Sequence, residues 1–295
     1  METLNQPIDL IKPFLRVNPS HVDLELLRTT ITQAFSENGI LEVLITKASN
    51  RIHKITRQSR IGSWIPLPGI KNYYTKKLHD AQFEYDCLID RKNKITIDMD
   101  IFFDENLEDK YIQVIKAFHE MLATHEIMDV TQESELDPKR KRTLATSAVQ
   151  MEPVKFSYDN ISIIHSAYPA FHLENKNGDA LYLYPAFLIT VSYDHEFNIL
   201  PLTDLKLVFN EVEMLLEEKI PADSKVVGQQ WAKSNKDGSR DRRYSNNYQV
   251  PLVQQAEIQF LSPAGLNETY ILSNVSLAKN FVELYSKYLD CLQLV

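Results

Sequence analysis

Apolar positions in the first part of the chain recur with two different periods, and the change of period marks the elements. In DLELLRTTITQAFSEN, residues 23–38, Leu24, Leu27, Ile31, Ala34 and Phe35 fall at helical spacing, and Asn38-Gly39 supplies a stop. ILEVLIT, residues 40–46, is a short continuous apolar run and predicts a buried strand. RIHKITRQSRIGSWIPLPGIK then carries two prolines, two glycines and several bases, the composition of a loop or linker. From Asn72 to Lys92, Tyr74, Leu78, Ala81, Tyr85, Leu88 and Ile89 return to helical spacing. KITIDMDIFF, residues 94–103, switches to a period of two, with Ile95, Ile97, Met99 and Ile101 on one side of a strand. Asp104 stands where it can cap the next helix, Glu105, Glu108 and Asp109 suit that helix's positive first turn, and its apolar stripe is Leu107, Tyr111, Val114, Ile115, Phe118 and Leu122.

The second half reads differently. TQESELDPKRKRTLATSAVQ, residues 131–150, is polar and predicts a connector. VKFSYD, LYLYPAFLITVS, FNILPL, LKLVFNEVEMLL, KVVGQQWA, YQVPLVQQAEIQFL and ETYILS follow as β-rich segments separated by turn residues. VSLAKNFVELYSKYLDCL, residues 275–292, is an amphipathic helix with Leu277, Ala278, Phe281, Leu284, Tyr285 and Tyr288 on one face. The sequence therefore predicts an α+β chain: a helical and α/β region over 1–130, a basic connector over 131–155, and an antiparallel, barrel-like domain over 156–295. A strongly bent small barrel leaves an open end, and a terminal helix covering it gives the layout of a pleckstrin-homology-like domain.

Composition narrows the chemistry more by exclusion than by assignment. A formal charge of −8 opposes wrapping of nucleic acid or membrane by the whole surface, because phosphate binding needs a positive field. Cys87 and Cys291 lie far apart in sequence and suggest neither a disulfide scaffold nor a zinc pair, and no apolar run reaches the length of a membrane span. The amino terminus lacks the basic and apolar regions of a secretory signal, so the expected compartment is the cytoplasm, where the sequons at Asn160, Asn267 and Asn274 carry no glycan. With only 7 glycines the chain has no GxGxxG, P-loop or GxSxG, and its histidines form no HExxH; His119 and His125 point to different helix faces. No cofactor is expected. Asp98 and Asp100, two apart on a strand, point the same way and with Glu108 and Lys110 give a superficial likeness to a D…ExK nuclease. The placement of ExK in the first turns of a helix argues against it.

Two basic stretches remain. Lys139, Arg140, Lys141 and Arg142 form a dense positive run that can touch phosphates or simply face solvent. WAKSNKDGSRDRRYSNNYQVP, residues 231–251, contains Asp237-Gly238, a strong hairpin signal, with Trp231 and Tyr248 as anchors near its base. Its tip gathers Lys233, Asn235, Lys236, Asp237, Arg240, Asp241, Arg242 and Arg243, a set able to bind a phosphate or carboxylate bidentately, or to hydrogen-bond to itself.

These residues also resemble an uncharacterised bacterial family that carries W-A-K-x-N-K-D-G-S-x-D-R-R, an aromatic, and N-x-Q-[IV]-P in its carboxy-terminal half. IPADSKVVG, ENKNGDALYLYP, RTLATSAVQMEPVKFS and GLNETYILSN are similar to its other segments, and the likeness spans roughly residues 110–290. Where this chain has Met128-Asp129-Val130-Thr131, the family reads Trp-Asp-Val-Thr. The resemblance implies an accessory module attached to varied bacterial proteins, in settings such as stress or phage-defence operons, and carries over no catalytic residues. The function expected is non-enzymatic binding or scaffolding, with the 231–251 hairpin presented to another protein. The alternative is phosphate or nucleic-acid recognition by Lys139–Arg142 and Arg240–Arg243, and a metal-dependent nuclease on Asp98 and Asp100 comes third.

Overall fold

In the computed structural model, which describes residues 13–62, 69–104, 106–135, 147–192, 197–217 and 219–293, the first helix does not stop at Asn38-Gly39. Side chains are described for all of these except positions 61, 62, 70, 132–135 and 147–149. Helix α1 (Leu24–Gly62) is 39 residues long, and ILEVLIT, expected as a strand, lies inside it. The reason is a seam. Leu27, Ile31, Ala34, Leu41, Ala48 and Ile55 are buried, Ile45 and Ile52 are half-buried, and successive members stand three or four residues apart except for one step of seven across Gly39, which equals two such steps. Helix α2 (Ile70–Lys94) answers with Tyr74, Leu78, Ala81, Tyr85 and Leu88 at the same average period, so the two helices pack as an antiparallel hairpin. Interhelical ion pairs Arg51–Glu84 (2.6 Å) and Lys92–Glu42 (2.8 Å) match that register. A glycine inside a helix costs about 1 kcal/mol, which pairing along the hairpin offsets.

The chain forms two compact units. The first contains the helical hairpin and a three-stranded sheet in the order β1 (Phe14–Val17), β2 (Ile97–Ile101) and β6 (Ile164–Ser166), with β2 and β6 parallel. The alternation expected for β2 holds: Ile95, Ile97, Met99 and Ile101 are buried. The second unit takes Val17–Val22, Ile101–Asp159 and Tyr168–Val295. Because β6 comes from a segment after residue 159, the units are not consecutive halves of the sequence. The connector expected over 131–150 is replaced at both ends by strands: β3 (Ile127–Glu135) and β4 (Ser147–Pro153) pair antiparallel, which satisfies the backbone of residues whose polarity had suggested a loop.

Two open sheets make up the second unit, which corrects the expected closed barrel. One is β10 (Phe197–Pro201), β9 (Phe187–Val191), β8 (Ala180–Leu183), β7 (Ala170–Leu173) and β5 (Phe156–Asp159), antiparallel throughout. LYLYPAFLITVS, read as one strand, breaks at Tyr184-Pro185 into β8 and β9, closed by Tyr184 N–H donating to Phe187 O. The other sheet runs β11 (Lys206–Leu215), β13 (Gln249–Leu261), β14 (Asn267–Leu272), β3 and β4. β12 (Lys225–Trp231) shares the edge of β13 with β14, pairing the first half of that long strand while β14 pairs the second. The register of β12 shifts between Val226 and Gly228, a bulge.

Helices α3 (Leu107–Met121) and α4 (Val275–Gln293) pack on each other, and α4 lies on β11 and β13. Asp104 does not cap α3; Asn106 takes the cap position in a left-handed conformation, φ 67°, and Asp104 instead accepts from Asn18 Nδ2 at 3.1 Å. At α4, Asn274 Oδ1 accepts the Leu277 N–H and serves as the cap. Both helices and both sheets feed one core, in which Phe118 stacks on Phe171 at 4.3 Å and meets Phe281 at 5.6 Å, while Tyr111 lies 5.9 Å from Phe171 and 5.1 Å from Tyr288.

The tyrosines of this core differ in their hydroxyl partners. Tyr288 donates to Pro185 O at 2.6 Å, whereas the buried Tyr285 hydroxyl has no partner among the described residues. Tyr285→Phe is therefore expected to leave the midpoint of urea unfolding unchanged or raise it, and Tyr288→Phe to cost about 1–2 kcal/mol. Equal losses in the two variants would contradict this account.

Candidate functional site

Cross-strand pairing of β12 with β13 ends at Trp231↔Gln249, and the chain between them leaves the sheet as an ordered excursion. Its outermost turn is Asn235–Gly238, where Gly238 N–H donates to Asn235 O and Asn235 N–H to Ser239 O, with a further bridge at Ser234↔Arg240. Gly238 alone takes the left-handed conformation, φ 80°. The turn therefore sits one residue earlier than Asp237-Gly238 suggested, and Asp237 uses its side chain to accept from both the N–H and the hydroxyl of Ser239. That pair of hydrogen bonds holds the Asp237 carboxyl below its ordinary range.

The inner half is held by two side chains. Asp241, 1% exposed, accepts three hydrogen bonds from Arg243: the backbone N–H at 3.0 Å and Nε at 2.8 Å on Oδ1, and Nη2 at 2.6 Å on Oδ2. Asn247 replaces a strand partner for Lys233, accepting its N–H at 3.0 Å and donating to its carbonyl at 2.6 Å. Arg240 is occupied as well, lying 5.2 Å over the Trp231 ring while Nη2 donates to Ser245 O. Of the arginines expected at the tip, Arg240 and Arg243 are thus committed to the excursion itself. Arg242, with Lys233 and Lys236, is exposed and has no side-chain hydrogen bond or ion pair among the described residues. Asn235 Nδ2 joins Ser239 Oγ and Arg240 O, so it too is structural. Tyr248, expected as an anchor, is 53% exposed; Trp231 is the half-buried one.

The other expected residues come from different parts of the chain. Lys139, Arg140, Lys141 and Arg142 fall outside the described residues. Asp98 lies 3.5 Å from His165 Nδ1 and Asp100 lies 3.9 Å from Arg16. Glu108 accepts from the Tyr168 hydroxyl at 2.6 Å, which with burial pushes that tyrosine up to about 12, and Lys110 Nζ donates to Cys291 Sγ. Among the described residues no group of three or more His, Cys, Asp or Glu is arranged to hold a metal.

A second constellation escaped the sequence reading. Asp129 on β3, Glu268 on β14 and the β7–β8 loop around Asn175 come together. Asp129 is fully buried; its Oδ2 accepts the Lys176 N–H at 2.7 Å, and its Oδ1 has no partner among the described residues. Asn175 Oδ1 closes the loop by accepting the N–H groups of Asn177 and Gly178. A Cβ at Gly178 would stand 3.0 Å from Asn175 Nδ2 and 3.3 Å from Glu268 Oε1, so the missing side chain lets these groups approach. The available signal was Asp129 in IMDVT, an acid on the same face of the strand as buried Ile127.

Burial, then the charges of Asp129 and Asp179, push the Glu268 carboxyl from its ordinary 4.5 to about 7, against the Asn175 amide; burial likewise raises Asp129. No family model, no curated protein and no solved structure matches this chain. No described helix is long and apolar enough to cross a membrane.

A carboxyl raised in the folded state adds stability that is complete below its unfolded value near 4.5 and is lost as the pH climbs through about 7. The melting temperature should fall by roughly 3–6 °C between pH 5 and 8. Glu268→Gln should remove most of that slope, and a wild-type melting temperature flat over this range would refute the assignment. In the excursion, Arg243→Ala strands the buried Asp241 carboxylate and should lower local stability, read as lost hydrogen-exchange protection across 231–249. Arg242→Ala should change it by less than about 0.5 kcal/mol.

Proposed function

We propose that the chain is a binding protein whose recognition element is the 231–251 excursion, presented to another protein. The observation that carries the reading is the internal commitment of Asp241, Arg243, Asn247 and Arg240. These contacts fix the loop in one geometry before any partner arrives, while Lys233, Lys236 and Arg242 project from it. Pre-ordering of this kind lowers the entropy lost on binding, which is a use for so dense a hydrogen-bond network in an exposed loop. Tyr244, 37% exposed, stands two residues after Arg242, and a surface of arginine, lysine and tyrosine suits a carboxylate-bearing protein face. The family resemblance supports the same stretch, since its longest motif is Trp231–Pro251.

Tagged wild-type chain and a Lys236→Ala, Arg242→Ala, Tyr244→Ala variant would be used side by side to capture proteins from a lysate of the native host. The captured protein would then be purified and its affinity measured directly. The variant is expected to bind at least about ten-fold more weakly with an unchanged melting temperature, since each exposed hot spot contributes above about 1 kcal/mol. Equal affinity of the two chains would overturn the reading.

A further inference from the structure

The two helices that pack over the core of the second unit are joined at one end by a polar contact that the packing does not require. Lys110 stands in the first turn of α3 and Cys291 in the last turn of α4. Lys110 Nζ lies 2.7 Å from Cys291 Sγ, a contact between residues 181 apart in sequence. An N–H···O bond is seldom shorter than about 2.7 Å, and sulfur, larger than oxygen and a weak acceptor, should hold a donor farther away. The lysine has an ordinary alternative, because it is exposed and can reach water. Among the described residues no ion pair includes Lys110, and Glu108, two residues before it, accepts from the Tyr168 hydroxyl.

The fold holds this contact in place. α3 and α4 run antiparallel, with Phe118 against Phe281 (5.6 Å) toward one end and Tyr111 against Tyr288 (5.1 Å) toward the other. Tyr111 directly follows Lys110, and Tyr288 stands about one turn before Cys291, so both backbones are fixed where the pair sits. Leu289 and Leu292, on either side of Cys291, are buried, and Gln293 Nε2 donates to Thr203 O at 2.9 Å, which fastens the end of the helix. Cys291 itself is half-buried, within reach of a small oxidant and beside an exposed amine. It has no thiol partner in its own unit, since the only other cysteine of the sequence, Cys87, belongs to the first unit.

We infer that Lys110 and Cys291 form an oxidative modification site, at which hydrogen peroxide joins the amine nitrogen to the thiol sulfur through a single oxygen atom. A gap of 2.7 Å is too wide for a direct S–N bond and matches the end-to-end span of an S–O–N unit bent at its oxygen, so the link closes without movement of either helix. The chemistry consumes two peroxide molecules. Sulfur attacks the first, its O–O bond breaks, and Cys291 becomes a sulfenic acid with release of water. The uncharged Lys110 amine takes an oxygen from the second in the same way and becomes a hydroxylamine, releasing a second water. The hydroxylamine oxygen then bonds to the sulfenic sulfur; the S–OH bond breaks, and its hydroxide leaves with the hydroxylamine O–H proton as a third water. Sulfur and nitrogen each lose two electrons, and the two peroxides gain the four. A sulfenic acid is commonly resolved by a neighbouring thiol, a place that the lysine takes here. The bridge ties the last turn of α4 to the first turn of α3 and closes a covalent loop through the core, which stabilises the unit in an oxidising environment. The inference is separate from the reading of the 231–251 excursion and does not rest on it.

The test exposes the full chain, folded and in urea, to hydrogen peroxide and reads peptide masses after proteolysis. From the folded wild type, the peptides holding Lys110 and Cys291 should be recovered as one species heavier than their sum by about 14 Da, one oxygen gained and two hydrogens lost. Cys87→Ser should give the same species, and Lys110→Arg and Cys291→Ser should not. The bridged wild type should melt roughly 5 °C above the untreated chain, a shift that dithiothreitol reverses and that Lys110→Arg, which keeps the charge at an exposed position, does not show. Oxidation of Cys291 to the sulfinic or sulfonic acid alone, or to a disulfide with Cys87, would overturn the inference. So would a cross-link about 2 Da lighter than the summed peptides, the mark of a direct S–N bond, or equal yields from the folded and the urea-unfolded chain.

Discussion

The stacking of Phe118 on Phe171 joins α3 to β7, one strand in from the edge of the β5–β10 sheet, and lies inside the buried cluster that both helices and both sheets of the second unit share. Phe281 and Tyr285 bring α4 to the same point, and Phe156 carries it on to Tyr270 on β14 of the other sheet. Flat rings bury a large area with little loss of side-chain freedom and pack at defined angles, so a cluster of them fixes helix and sheet orientation more firmly than aliphatic residues alone. With that centre set, β13 has one position for its inward residues Ala256, Ile258 and Phe260. The first half of the same strand then emerges with β12 beside it and the excursion beyond.

A large part of this was legible in the chain, and the exceptions have a common cause. The alternation of β2, the apolar stripe of α3 and the inward face of α4 follow from periodicity because each buries one face within its own element. ILEVLIT looked like a strand because its apolar residues are contiguous; only the partner α2 reveals that Leu41, Ile45 and Ala48 continue a 3.5-residue seam while Ile40 and Val43 face outward. The polar character of 131–150 hid β3 and β4 because a strand's backbone hydrogen bonds do not depend on apolar side chains. Closure of a barrel depends on whether the last strands meet, a property no local pattern encodes.

The same limit applies to the sites. Gly238 at the turn was readable, since a positive φ has few occupants, and so was the prospect that the tip would bond to itself. Which arginine would be spent was not, because the burial of Asp241 and the reach of Asn247 to Lys233 are settled by how the chain folds back. The meeting of Asp129, Asn175 and Glu268 joins residues far apart in sequence and needs the β14–β3 pairing.

An open sheet has rims, and β12 is one of them: among the described residues it pairs with β13 alone. Val226 and Val227 are exposed there, a combination that invites a strand from a second molecule to add on. The bulge between Val226 and Gly228 breaks the even row of donors and acceptors along that rim and turns the strand out of plane. A visiting strand would find its register lost after one or two residues. The irregularity thus acts as a safeguard against edge-to-edge polymerisation, and it lets the protein keep a rigid projecting hairpin without the stickiness that a flat, regular rim would bring.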